Sequence, residues 1–179
     1  SLIVGLQSWN ASYLSRQFDW ELSKIGYVLG STQLLSAVAG LVFHGWMVDR
    51  MFSKGRLDAH LLYFLVMMLL ALPCGVIAYS ASTPTMMLIF YNLTYFFVMA
   101  FASIGPAALQ IATPSRLRGK ASASYMVVIT IMGTILGPVF VASLTDFVFS
   151  EAEIAKSMAV FAAVSCILAA LAFAFGRGP

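Results

Sequence analysis

Charge-free runs of unusual length divide the chain. No Asp, Glu, Lys or Arg occurs in 25–48, 59–115, 121–145 or 157–176. About 20 apolar residues carry a helix across a bilayer, so three of these runs each make one span. The 57 residues of 59–115 are too many for one, and they divide at Ser80-Ala81-Ser82-Thr83-Pro84, a cluster of turn-forming residues. The pattern therefore predicts full spans over 24–48, 59–79, 85–112, 121–144 and 156–176. Residues 1–17 read as a sixth, shortened span. They lack the charged start and cleavage site of a signal peptide, and no initiator Met precedes them. The expectation is a chain that begins within a helix, a fragment of a longer protein.

Within the spans, small and kinking residues suggest how the helices pack. Gly26, Gly30, Ser36 and Gly40 fall near a four-residue spacing, a stripe that lets helices approach closely in lipid. Pro73, beside Gly75, predicts a kink in the third span. The last span is rich in Ala, Val and Leu and reads as a peripheral, lipid-facing helix. Trp9 and Tyr13 fall where an aromatic belt would lie at the outer boundary.

Composition removes the alternative of a soluble domain. Hydrophobic residues make up 61% of the chain and charged residues 9%, against about 25% charged in soluble domains. Lys and Arg orient the bundle. With the 49–58 loop inside, Arg50, Lys54, Arg56, Arg116, Arg118, Lys120 and Arg177 are inside, while Arg16, Lys24 and Lys156 are outside. That asymmetry follows the positive-inside rule and makes both ends cytoplasmic. The pI near 9.0 thus reflects orientation. The basic residues form no aromatic-interleaved patch, so no nucleic-acid partner is expected. Cys74 and Cys166 each stand alone within a span and read as packing residues, with no metal site or cofactor implied.

Two stretches resemble each other. Gly40, Val42, Phe43, Asp49, Phe52 and Ser53 recur in the same register as Gly137, Val139, Phe140, Asp146, Phe149 and Ser150. Each lies at the end of a long apolar helix, and the two ends fall on opposite sides of the membrane. The chain then reads as an all-α polytopic bundle of six transmembrane helices, built as a 3+3 inverted repeat of the kind found in secondary transporters.

The loop from Gly45 through Trp46, Asp49, Arg50, Lys54 and Gly55 to Arg56 resembles the G-x-L-a-D-r-x-G-R-x loop of the major facilitator superfamily. There it joins the second and third helices of each six-helix half. Extra residues between Asp49 and Gly55 depart from that pattern and are more typical of a second half. Thr113-Pro114-Ser115-Arg116-Leu117-Arg118-Gly119, then Gly133, Leu136-Gly137-Pro138 and Leu144-Thr145-Asp146, are similar to the loop and helix late in such transporters, in particular the spinster-like branch. The resemblance covers 1–179 as helices seven to twelve, the C-terminal half of a twelve-helix carrier. It implies alternating access by two rocking halves, a partner in the missing N-terminal half, and a bacterial inner-membrane location. The spinster-like branch implies amphiphilic lipids as substrates, and neighbouring branches imply small organic anions.

The same resemblance places the first, second, fourth and fifth spans around a cavity. Polar side chains are costly in lipid unless they face protein or water. Gln7, Asn10, Gln33, Asn92 and Tyr95 are accordingly the substrate-cavity candidates, with Gln7–Asn10 and Asn92–Tyr95 as three-residue pairs on shared faces. Gly45, Asp49, Arg50, Gly55 and Arg56 form the gating loop motif, and Gly133, Gly137 and Pro138 a helix-packing motif. His44 is expected to be a satisfied histidine at a helix interface.

Two other classes remain to be weighed. A membrane enzyme needs a nucleophile–base or metal constellation, and neither Gly-x-Ser-x-Gly nor His-Glu-x-x-His occurs, so no enzyme is expected. A freestanding six-helix protein acting as a homodimer is the alternative to the half-transporter.

Overall fold

The computed structural model describes residues 2–54, 59–147 and 154–175, and among them every element is helical. The elements are α1 (Leu2–Phe18), α2 (Leu22–Ser53), α3 (Ala59–Tyr79), α4 (Pro84–Ala112), α5 (Arg118–Ile131), α6 (Gly137–Phe147) and α7 (Ile154–Phe175). A π-helical turn, Met132–Leu136, joins α5 to α6 without a loop. Among the described residues five stretches are long and apolar enough to cross a membrane: Leu22–Ser53, Leu62–Tyr79, Pro84–Ala102, Ser115–Asp146 and Ile154–Ala172. The chain is an all-α membrane helical bundle.

Local chemistry accounts for the boundaries. Asp19 takes φ 52° between α1 and α2. Asp tolerates this left-handed conformation better than most residues, because its short side chain can bond locally. The predicted break near Ser80–Pro84 is real. Thr83 caps α4 by accepting from the Met86 amide at 3.3 Å, and Pro84 occupies the first turn, where its missing N–H costs nothing. At 32 residues, α2 is about 48 Å long at 1.5 Å per residue. It therefore overruns a ~30 Å hydrocarbon core.

Pro138 explains the π turn. A proline in a helix has no N–H for the carbonyl four residues earlier, here Thr134, and its ring crowds that carbonyl. The turn just before it widens, as π bulges do. By contrast, α3 runs through Pro73 as one helix from Ala59 to Tyr79.

The core joins all seven helices except α5, with Ile25 and Leu29 as the contribution of α2. Leu6, Tyr13, Leu14, Ala71, Ala78, Met87, Val141, Met158, Ala162 and Cys166 are its most enclosed members. α3 lies between α4 and α7, α2 leans mainly on α4, and α1 packs on α6 and α7. The last helix thus differs from the expected peripheral one. Met158, Phe161, Ala162, Cys166 and Ala170 bury one face of α7, while Val160, Ile167, Leu168 and Leu171 keep the other exposed. An Ala-rich sequence does not reveal this, because small apolar residues suit both lipid and tight helix contacts.

Tyr13 also departs from expectation. It is 1% exposed and sits edge-on to Phe18 and Tyr79, so it belongs to the core rather than to a boundary belt. Trp9 is half-buried, and its indole Nε1–H donates to the Pro138 carbonyl at 3.2 Å, tying α1 to α6.

Close approach is concentrated at particular glycines. A Cβ on Gly40 would lie 2.9 Å from Met99 Cβ and 3.1 Å from the Phe96 carbonyl, so α2 and α4 cross there. A Cβ on Gly5 would lie 2.5 Å from the Phe161 ring and 3.1 Å from the Gly137 backbone, where α1, α6 and α7 meet. The stripe expected along α2 is split: Gly26 and Gly30 have no atom within 4 Å of such a Cβ. Of these three glycines only Gly40 meets α4 backbone to backbone, while Gln33 and Ser36 reach α4 through their side chains.

Candidate functional site

Neutral polar side chains from four helices meet in an otherwise apolar bundle. Gln7 on α1 donates from Nε2 to Gln33 Oε1 on α2 at 2.8 Å. Gln33 Nε2 donates in turn to the Tyr91 hydroxyl on α4 at 3.1 Å. Beneath this chain the Tyr79 hydroxyl of α3 donates to Asn10 Oδ1 at 2.7 Å. Tyr79, Tyr91 and Tyr95 form a ladder of rings with centroid separations of 6.5 and 6.2 Å. One turn along, Ser36 donates to Asn92 Oδ1 at 3.1 Å, and Asn92 Nδ2 bonds back to the Leu88 carbonyl. Amides and hydroxyls suit this task in lipid, since each satisfies its partner without the cost of a buried charge.

Depth separates the candidates. Gln7 is exposed, and Gln33, Asn92 and Tyr95 are half-buried. Asn10 is fully buried. Three residues advance a helix by about 300°, leaving the two side chains of a pair ~60° apart. On α1 that angle straddles the edge of the core. Gln7 looks outward toward α2 and Asn10 looks inward to Tyr79. Asn10 Nδ2 is buried without an acceptor among the described residues.

Tyr79 and Tyr91 are the members that sequence reasoning passed over. Their signal is present in retrospect. Tyr91 lies four residues before Tyr95 on one face of α4, and Tyr79 ends α3 at the turn that leads back toward it.

At the other end of α2, His44 is fully buried. Its Nε2 lies 2.8 Å from the Phe96 carbonyl and its Nδ1 2.7 Å from the Tyr63 hydroxyl. A carbonyl can only accept, so Nε2 carries the proton. Nδ1 of the neutral ring then accepts from Tyr63. The ring pins α2 to α3 and α4 above a small cluster of Val48, Tyr63, Phe64, Met67 and Ala100.

The loop motif is described in part. Gly45 is half-buried, while Asp49 and Arg50 are exposed at the end of α2. The Arg50 guanidinium lies 5.7 Å from the Trp46 ring centroid, a stacked cation. Gly55 and Arg56 lie outside the described residues. The packing motif is described in full. Gly133 and Gly137 are buried, Gly133 within the π turn and Gly137 against Gly5, and Pro138 supplies the carbonyl for Trp9.

Of the two look-alike stretches, Asp49 and Asp146 are both exposed near helix ends, and Gly40 and Gly137 both sit at helix crossings. Phe149 and Ser150 lie outside the described residues.

Comparison with known proteins gives one match: a family model for the Major Facilitator Superfamily covers residues 2–179. No curated protein and no solved structure matches. The chain therefore belongs to the Major Facilitator Superfamily and is an integral membrane protein of the transporter type.

Proposed function

We propose that this member of the Major Facilitator Superfamily is the C-terminal half, helices seven to twelve, of a secondary active transporter. It carries a small organic solute or an amphiphile by alternating access. The observation that carries the reading is the bridge Gln7–Gln33–Tyr91. It is a neutral hydrogen-bonding chain that begins at an exposed side chain and runs inward across three helices. Side chains of this kind are expensive at membrane depth and occur where protein or a water-filled path receives them. Gln7, Gln33, Asn92 and Tyr95 line that path, and Asn10 supports it from below through Tyr79.

The exposed surfaces fit a half that works with another half. α2 and the α5–α6 helix are the least buried of the membrane-length stretches. Leu34, Leu35, Val38 and Val42 on α2, Val127, Val128 and Ile131 on α5, and Ile135 in the π turn stand exposed. Such faces are available to the bilayer and to a missing N-terminal half. The distribution of Lys and Arg supports a reading with both ends of this half in the cytoplasm, and the family resemblance supports a bacterial inner membrane as the location. Asp49 and Arg50, with Gly55 and Arg56, form the cytoplasmic gating loop. Thr113-Pro114 and Leu136-Gly137-Pro138 support the spinster-like branch.

The test has two parts. The size of the native polypeptide comes first. A product about twice the 19.4 kDa of this chain supports the half-transporter, and one of this size makes a homodimer the leading idea. The full-length protein, reconstituted in liposomes, is then assayed for uptake of a solute panel. Gln33→Ala is expected to abolish uptake while leaving the protein folded. Wild-type uptake by that variant would remove Gln33 from the path.

A further inference from the structure

An apolar cavity of about 360 Å³ lies among α1, α3, α4, α5, the π turn and α7. Val4, Met68, Val98, Gly133, Ser165 and Ala169 are among its walls, and among the described residues the Ser165 hydroxyl is the one side-chain polar group in its lining. It is more than twice the size of a ~150 Å³ cavity that admits benzene, and it is partly open at the edge of the bundle rather than enclosed. It falls within the ~300–1,000 Å³ range of small-molecule sites. Carbon walls facing a void forfeit their dispersion contacts on that side. The space therefore favours an apolar occupant over water.

Its shape limits that occupant. α1 lines it with 2–4, α4 with 98–102 and α7 with 165–169. Each stretch covers about one helical turn, roughly 5–6 Å. Along the helix axes the lining is about one turn deep, which suits a compact body lying across the bundle.

Its place in the bundle says where the rest of the ligand lies. Val4 lines the cavity, and Gln7 sits three residues further on, close to the same outward face of α1. On α4, Val98 lines the cavity, while Tyr95 and Tyr91 stand three and seven residues before it. The apolar cavity and the amide bridge thus lie about one turn apart along α1 (Val4 to Gln7) and about two turns apart along α4 (Val98 to Tyr91). No charged side chain belongs to either among the described residues.

We infer that the substrate is a compact amphiphile. Its ring-sized apolar body occupies this cavity, and an uncharged hydrogen-bonding group reaches Gln7 and Gln33. The inference rests on the reading that Gln7 and Gln33 face the transport path.

The experiment uses the full-length protein in lipid nanodiscs, labelled with a small phenyl-diazirine photoprobe and mapped by peptide mass spectrometry. Label is expected on the segments holding Val98 and Ser165, above that on the exposed Leu34–Val42 face of α2. Naphthalene and 2-naphthol both displace it, 2-naphthol at a concentration at least tenfold lower. Naphthalene-2-sulfonate, which brings a charge to a neutral site, does not. Ala169→Phe and Ser165→Leu, two independent ways of filling the space, each cut the label tenfold or more with the melting temperature retained. Gln33→Ala removes the advantage of 2-naphthol and leaves displacement by naphthalene unchanged.

The inference is overturned if the cavity segments label no more than the α2 face, or if both filled variants label as wild type does. It is also overturned if added phospholipid displaces the probe and 2-naphthol does not, which would make the occupant a bilayer tail. Labelling is read without transport, so the cavity result and the role of Gln33 in uptake fail separately.

Discussion

Gln7 and Gln33 join α1 to α2 through a single amide–amide hydrogen bond of 2.8 Å, and Gln33 passes the connection on to Tyr91 of α4. α1 and α2 otherwise touch sparingly, whereas α2 and α4 pack along much of their length. A polar link at such a loose crossing can exchange its partner for a ligand without disturbing the core.

That relationship separates the roles of stability and transport. Interhelical hydrogen bonds in membranes contribute about 0.6 kcal/mol on average and at most ~1.7. Gln33→Ala should therefore lower stability by no more than about 1–2 kcal/mol, read as a small shift in melting temperature in detergent. Uptake by the full-length protein should fall at least tenfold. Equal losses in both would mark Gln33 as structural alone.

His44 should behave in the opposite way. Its neutral ring satisfies Tyr63 and the Phe96 carbonyl at once and is fully buried. His44→Leu leaves the Tyr63 hydroxyl buried without its partner and should cost about 1–3 kcal/mol. Tyr63→Phe leaves the buried His44 Nδ1 without its donor and should likewise cost about 1–3 kcal/mol. Thermal unfolding of the two single variants and the double variant gives the coupling between them. Additive losses would show that the 2.7 Å contact carries no energy of its own.

The glycines divide into two groups that one substitution distinguishes. At Gly5 and Gly40 an added methyl meets Phe161, the Gly137 backbone, Met99 or the Phe96 carbonyl. Gly→Ala there should destabilise by about 1–3 kcal/mol through overpacking. At Gly26 and Gly30 the methyl meets nothing, and the same change should stabilise α2 by about 0.5–1 kcal/mol. Melting temperatures of this chain, measured alone, check both signs. Transport lost in a stable Gly30→Ala full-length protein would place that face against the other half.

Trp9→Phe keeps most of the ring and removes the N–H that reaches the Pro138 carbonyl at 3.2 Å. The expected loss is about 0.5–1.5 kcal/mol. A larger loss, read from the melting temperature, would mean that the bond also holds the π turn in place.

Amino-acid order alone indicated that this protein is a bundle of membrane helices and roughly where they lie, although α2 runs on to Ser53 through residues read as loop. Charge-free runs of membrane length, a Ser-Ala-Ser-Thr-Pro break and segregated Lys and Arg are one-dimensional signals, because a bilayer enforces length and polarity along a single axis. The motif of Gly45, Asp49 and Arg50, which the structure places in the last turns of α2, was likewise enough to indicate the superfamily. Which face of each helix meets another was decided only in three dimensions. In lipid there is no solvent to make a polar outer face, so an exposed Leu34 and a buried Leu14 are the same residue in the same kind of run. For that reason the inward turn of Tyr13, the half-buried α7, the open Gly26 and Gly30, and the parting of Gln7 from Asn10 were not legible in order and spacing. Tyr79 and Tyr91 stand in different helices and become one site only when α3 packs on α4.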